Sequence, residues 1–145
     1  QWVSGLLEFA FPLTANERIT SWHRVYGKHI FGPYMAFYQA ADLGANQLLR
    51  GYRQNRFIGE SAAAFSSDLR WAIGALNQSI VPLKIGAFGG YDIGRVWWSE
   101  EQSSRWHQDV GGGVWLTALE SLTLNAGAFK GTERWLFSFG LGYYF

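Results

Sequence analysis

The stretch Trp135-Leu136-Phe137-Ser138-Phe139-Gly140-Leu141-Gly142-Tyr143-Tyr144-Phe145 decides the fold. Side chains alternate along a strand, so one face carries Trp135, Phe137, Phe139, Leu141, Tyr143 and Phe145, and the other Leu136, Ser138, Gly140, Gly142 and Tyr144. A strand that is aromatic and apolar on one side and small or polar on the other suits a wall between lipid and water. The expected fold class is all-β, a transmembrane antiparallel β-barrel.

Composition agrees with that expectation. The 145 residues are 48% hydrophobic, 18% aromatic and 16% charged, with 18 Gly and 8 Trp. Soluble domains carry about a quarter charged residues. Mean hydropathy is only -0.07, because a barrel strand averages a lipid face against a watery one. No uncharged apolar run reaches the roughly 20 residues of a membrane helix; Trp71 to Leu83 is too short and contains Asn77 and Gln78. The absence of cysteine excludes a disulfide framework and a thiolate metal site. A net charge of +1 argues against a nucleic-acid footprint, and no linker composition divides the chain, so one domain is expected. With no initiator Met, basic leader or cleavage site at its start, the chain reads as a mature protein or a piece of a larger one, the piece being the favoured expectation.

About seven strands are expected, near the nine to eleven residues of a tilted membrane strand or somewhat longer. They run over Trp2 to Leu13, Arg18 to Ile30, Ser61 to Gly74, Val81 to Trp97, Trp106 to Thr117, Leu122 to Lys130 and Trp135 to Phe145. The connections at 14–17, 75–80 and 118–120 are short, the one at 31–60 is long, and that at 98–105 is polar and intermediate. Short turns on one rim and longer loops on the other is the bacterial outer-membrane pattern.

Alternation places Phe65, Leu69, Trp71 and Ile73 outward on the third strand, with Ser66, Asp68 and Arg70 inward. On the fourth, Ile85, Ala87, Tyr91 and Ile93 face out, and Gly90, Asp92 and Gly94 face in. On the fifth, Val110, Val114 and Leu116 face lipid, and His107, Asp109, Gly111 and Gly113 face the lumen. The second strand does not alternate cleanly and its faces stay open. An unpaired edge in lipid is costly, and bacterial single-chain barrels have even strand numbers. Either an eighth strand lies in Phe31 to Gly44 or the chain belongs to a wider barrel.

Two motifs carry specific information. The long loop contains Leu49-Arg50-Gly51-Tyr52, within an Arg-rich run from Leu48 to Gly59, and the fourth strand carries Gly90-Tyr91-Asp92-Ile93-Gly94. In these residues the chain resembles the BamA and TamA superfamily of outer-membrane assembly factors, with the related two-partner secretion transporters and bacterial surface antigens. That superfamily shares an Arg-Gly-aromatic motif on a loop folded into the barrel and an Asp-x-Gly motif on the wall. The resemblance spans Phe11-Pro12-Leu13 through Phe145. It implies that Arg50 meets Asp92, that Asp68 is a third member, and that Gly51, Tyr52 and Gly94 belong to the same loop anchor. Independently, alternation already places Asp68 and Asp92 on the lumenal face, where two close carboxylates need a cation. Otherwise Arg50 is one of several solvated loop arginines, worth about 0 to 1 kcal/mol in any pair.

The resemblance further implies the C-terminal portion of a barrel of about sixteen strands preceded by periplasmic domains. Its function would be outer-membrane protein insertion or polypeptide translocation in a Gram-negative bacterium. Its partners would be the lipid bilayer, unfolded or secreted polypeptides and the remaining parts of the parent chain, with no nucleic acid, no cofactor and no catalysis. Ser138, Gly140, Tyr143 and Phe145 fit the C-terminal pattern by which outer-membrane barrels are handed to their assembly machinery.

Competing readings are a passive pore, the barrel anchor of a fused enzyme, and an outer-membrane hydrolase using His107, Asp109 and Ser104. A hydrolase needs nucleophile, base and orienting group in reach, and no nucleophile elbow is visible. His23, His29 and His107 are too dispersed for a metal site. Gly111-Gly112-Gly113 lacks the Lys and helix of a phosphate loop and reads as a place where the wall bends or is closely approached. Trp97, Trp98 and Trp106 flank the polar loop as an interfacial belt.

Overall fold

The computed structural model describes residues 1–32, 39–45, 48–76, 82–98, 105–119 and 122–143. Among the described residues, seven long strands form one antiparallel sheet: β1 (Trp2–Pro12), β2 (Ile19–Ile30), β5 (Ser61–Leu76), β6 (Leu83–Trp97), β7 (His107–Ala118), β8 (Leu122–Lys130) and β9 (Trp135–Tyr143). Each pairs with its neighbour in that order, so β1 and β9 end the sheet. The expected strands agree with these to within a few residues at each end. Two three-residue strands, β3 (Ala41–Leu43) and β4 (Phe57–Gly59), make a separate hairpin inside the long connection. Among the described residues of the stretch Phe31 to Gly44, the strand is β3, which belongs to that hairpin and not to the wall; 33–38 lie outside the described residues.

The outer face is the hydrophobic one. Phe137 and Phe139 are 76% and 83% exposed, and Leu69, Trp71, Ile73, Ile85, Val110, Val114, Trp135 and Leu141 are exposed with them. Such a surface is stable only against lipid. Inside the wall, Ser66, Asp68, Asp92, Asp109 and Thr123 are buried. The chain is a transmembrane antiparallel β-barrel wall, apolar outward and polar inward.

The structure also settles β2. Its inward set includes Trp22, whose ring underlies Arg70, Arg24, which bonds Ser66, and Lys28, which bonds the Ala40 carbonyl. Its outward set includes Val25, His23 stacked on Phe65, and His29 packed against Phe31. Alternation fails there because both faces mix polar and aromatic groups, and the outward histidines are accommodated among phenylalanine rings. Beyond the wall, a core forms in the lumen itself. Ile30, Ala41, Leu43, Leu48, Leu49, Tyr52, Ala62 and Ala64 cluster with Tyr26, Phe57 and Val96, so the β3–β4 hairpin is packed on the inner side of β2, β5 and β6.

Candidate functional site: a loop docked on the inner wall

The chain between β3 and β4 turns at Leu48 and Leu49, both at φ 64°. Two successive non-glycine residues in the left-handed region store backbone strain. The turn is held by Gly44 N–H to the Leu48 carbonyl and Tyr52 N–H to the Leu49 carbonyl, each at 3.1 Å. With both leucines buried in the lumenal core, the next residue, Arg50, is presented to the wall.

Arg50 meets two carboxylates there. Its Nε donates to Asp92 Oδ2 at 2.9 Å and its Nη2 to Asp92 Oδ1 at 2.8 Å, a bidentate pair. Toward Asp68, Nη1 donates to Oδ2 at 3.0 Å and Nη2 to Oδ1 at 2.5 Å. The Arg50 backbone N–H adds a bond to Asp92 Oδ2 at 3.0 Å. Beneath the guanidinium plane lies the Phe129 ring, fully buried, with its centroid 4.0 Å from Cζ. Burial pulls the Arg50 pKa down, but the hydrogen bonds to Asp92 and Asp68 more than reverse that and hold it above the ordinary arginine range. The loop therefore meets the wall as a cation throughout the physiological range.

Close approach explains the glycines. A Cβ on Gly51 would lie 2.6 Å from Asp109 Cβ and 2.6 Å from the Gly131 nitrogen. On Gly94 it would meet Ala64 Cβ and Leu43 Cδ1, each at 3.0 Å, so the glycine of the Asp-x-Gly motif admits the β3 hairpin. Asp109 lies opposite Asp92 in the β6–β7 register, buried beneath the loop tip.

A second attachment escapes sequence reasoning. The Tyr52 hydroxyl donates to the Gln108 carbonyl at 3.0 Å and accepts from Thr132 N–H at 3.2 Å, while Arg56 donates to Glu133 through Nε at 2.8 Å. Thr132 and Glu133 sit in the β8–β9 turn, so the loop spans from β5 and β6 to the far end of the sheet. Tyr52 of the loop motif and the Arg-rich run hint at it, but not at its partners: Glu133 lies 77 residues from Arg56. Tyr52→Phe, which keeps the ring contacts, is expected to cost about 1 kcal/mol of loop docking. Hydrogen exchange of the loop amides would read it as a roughly five-fold acceleration.

The two attachments differ in exposure. Arg50, Asp68 and Asp92 have side chains 14%, 8% and 0% exposed, against 47% and 38% for Arg56 and Glu133. Screening acts on exposed pairs and far less on buried ones. Raising salt to 1 M is thus expected to loosen the Arg56 end while leaving the Arg50 end protected, as read by exchange at 131–134 against exchange at 49–51. Hydrogen bonding to Arg56 also holds the Glu133 carboxyl below its ordinary range, so this tether persists at neutral pH and is lost as pH falls through that lowered value.

The other residues singled out by sequence fall as follows. His107 stacks on Phe57 with centroids 3.7 Å apart, Asp109 lies under Gly51, and Ser104 lies outside the described residues. His23 and His29 face outward, away from His107. In the C-terminal strand, Ser138 and Gly140 pair with Gly127 and Asn125 on the lumenal side, Tyr143 pairs with Leu122 through its backbone, and Phe145 lies outside the described residues. Trp97 and Trp106 meet edge to face at 6.1 Å on the rim of the long loop.

A family model described as haemolysin secretion/activation protein ShlB/FhaC/HecB matches residues 7–117, which include β1 from Leu7, the docked loop and nearly all of β7. No curated protein and no solved structure matches the chain. The match supports the secretion-transporter branch of the superfamily whose motifs the sequence carries. A lipid-facing barrel wall with an arginine loop docked on its lumenal aspartates, matched over 7–117, makes this chain a member of the ShlB/FhaC/HecB family.

Proposed function

We propose that the chain is the C-terminal part of a larger outer-membrane barrel in a Gram-negative bacterium, and that the barrel passes a secreted polypeptide across that membrane. Membership of a family of secretion/activation proteins is the observation that carries this reading. The docked loop gives it a physical basis. A loop held inside the wall at Asp68 and Asp92 occupies the space a polypeptide would traverse, and its release or displacement would open that space. No bond-making chemistry is involved; the work is recognition, gating and passage. Upstream strands and periplasmic domains of the parent chain would complete the barrel and deliver the polypeptide.

The experiment places the full-length parent chain in a Gram-negative host together with its secreted partner polypeptide. Export of the partner into the medium with the intact chain, and its retention in the periplasm when residues 48–57 are deleted, is the expected result. Equal export with and without that segment would overturn the reading. A second reading, insertion of barrel proteins into the membrane as in BamA, is favoured by the shared Arg-Gly-aromatic loop motif. It would show as a fall in other outer-membrane proteins on depletion of the parent chain, with export of the partner unaffected.

A further inference from the structure

The strand register aligns Glu8, Arg24, Ser66, Asp92 and Asp109 across five consecutive strands on the lumenal face. Ser66, at the centre, is 1% exposed. Its Oγ accepts from Arg50 Nη2 at 3.3 Å and from Arg24 Nη2 at 3.2 Å. A hydroxyl oxygen offers two lone pairs, and both are engaged here by guanidinium donors.

The junction matters because Arg50 Nη2 is oversubscribed. It carries two hydrogens but lies within hydrogen-bond distance of Asp68 Oδ1, Asp92 Oδ1 and Ser66 Oγ. Where the guanidinium plane settles among three acceptors depends on how firmly each is held. Arg24, on a different strand from either carboxylate, fixes the Ser66 oxygen and with it the direction from which Arg50 Nη2 can reach it. Glu8, opposite Arg24 on β1, offsets the charge of Arg24.

We propose that Ser66 and Arg24 are positioning residues of the loop anchor, with the Ser66 hydroxyl as the junction through which strand β2 sets the orientation of Arg50 on its two aspartates. This rests on the reading of Arg50 as the residue that docks the loop. It also means that the state of β1 and β2 is felt by the loop, through an uncharged oxygen shared between two guanidinium groups.

The test is hydrogen exchange of the amides of residues 48–57 in the full-length barrel protein, with heat-modifiability confirming a folded barrel. Ser66→Ala and Arg24→Ala are each expected to accelerate exchange about five-fold, the loss of one buried hydrogen bond. The double variant should be no faster than Ser66→Ala alone, since both act through one oxygen. Arg24→Gln, which keeps N–H donors and drops the charge, should retain more protection than Arg24→Ala, and it carries the comparison if Arg24→Ala does not assemble. Unchanged exchange in both single variants, or effects that multiply in the double, would overturn the proposal. Arg50→Ala separates the two failures. If it too leaves exchange unchanged, the docking reading falls; if it alone accelerates exchange, only the positioning roles fall.

Discussion

Replacing Arg50 with Ala is expected to release the loop from the lumen and abolish export while the barrel stays folded. The substitution removes bidentate bonds to two carboxylates and strands both on the inner wall. Breaking a buried ion pair by deleting one partner costs about 3 to 5 kcal/mol, mostly through the charge left behind. In this geometry the cheapest relief is for the loop to leave, which lets lumenal water reach Asp68 and Asp92. The cost therefore falls on docking and not on the sheet, whose strand pairings involve none of these side chains. Arg50→Lys should recover little, because an ammonium cannot serve both aspartates in the planar fork. The measurement is export of the partner polypeptide alongside heat-modifiability of the barrel. Normal export from a folded Arg50→Ala barrel would remove the anchor from the mechanism.

Gly51→Ala is expected to have the next largest effect, and for a steric reason. The φ of Gly51 lies outside the left-handed region, so alanine is conformationally acceptable there. The obstacle is space: the added carbon would sit 2.6 Å from both Asp109 Cβ and the Gly131 nitrogen, and neither can swing away as a flexible side-chain end could. Overpacking of this kind costs about 1 to 3 kcal/mol. Relief requires lifting the loop tip, which also draws Tyr52 from Gln108 and Thr132. Trypsin added to intact cells should cleave at the exposed Arg53 faster than in the unaltered protein. Unaltered cleavage and export in Gly51→Ala would show that the tip is less tightly seated than its contacts indicate.

The wall is legible in the sequence wherever its outer face is uniformly apolar, and less so elsewhere. Phe137, Phe139, Val110, Val114, Leu69 and Trp71 announce their strands and faces because lipid tolerates nothing else at those positions. That Asp68 and Asp92 share the lumenal face follows from the same alternation. On β2 the signal fails because His23 and His29 lie outward among aromatic rings while Trp22 and Tyr26 lie inward, so polarity and face are uncoupled.

The interior of the loop is hidden for different reasons. Strands of three residues, such as β3 and β4, are too short to show a period, and the left-handed turn at Leu48 and Leu49 runs against local preference. Burial of both leucines in the lumenal core, with the turn's own backbone hydrogen bonds, compensates it. Phe129 under the guanidinium and Thr132 and Glu133 at the second attachment are brought in by the closure of β8 and β9 onto the sheet, about which Arg50, Tyr52 and Arg56 carry no local information. The motif resemblance points to the loop and the aspartate strand; the packing that makes their meeting specific comes from small residues, Gly51, Gly94, Ala62 and Ala64, whose purpose is visible only in three dimensions.

A double-mutant cycle between Arg50 and Asp92 tests the docking most directly, read by hydrogen exchange of the loop amides in the full-length barrel. If the bidentate pair holds the loop to the wall, Arg50→Ala, Asp92→Ala and the double variant should expose the loop to nearly the same extent, with a coupling of about 3 kcal/mol or more. Effects that simply add, within about 0.5 kcal/mol, would mean that the two residues act independently and that something else holds the loop in the lumen.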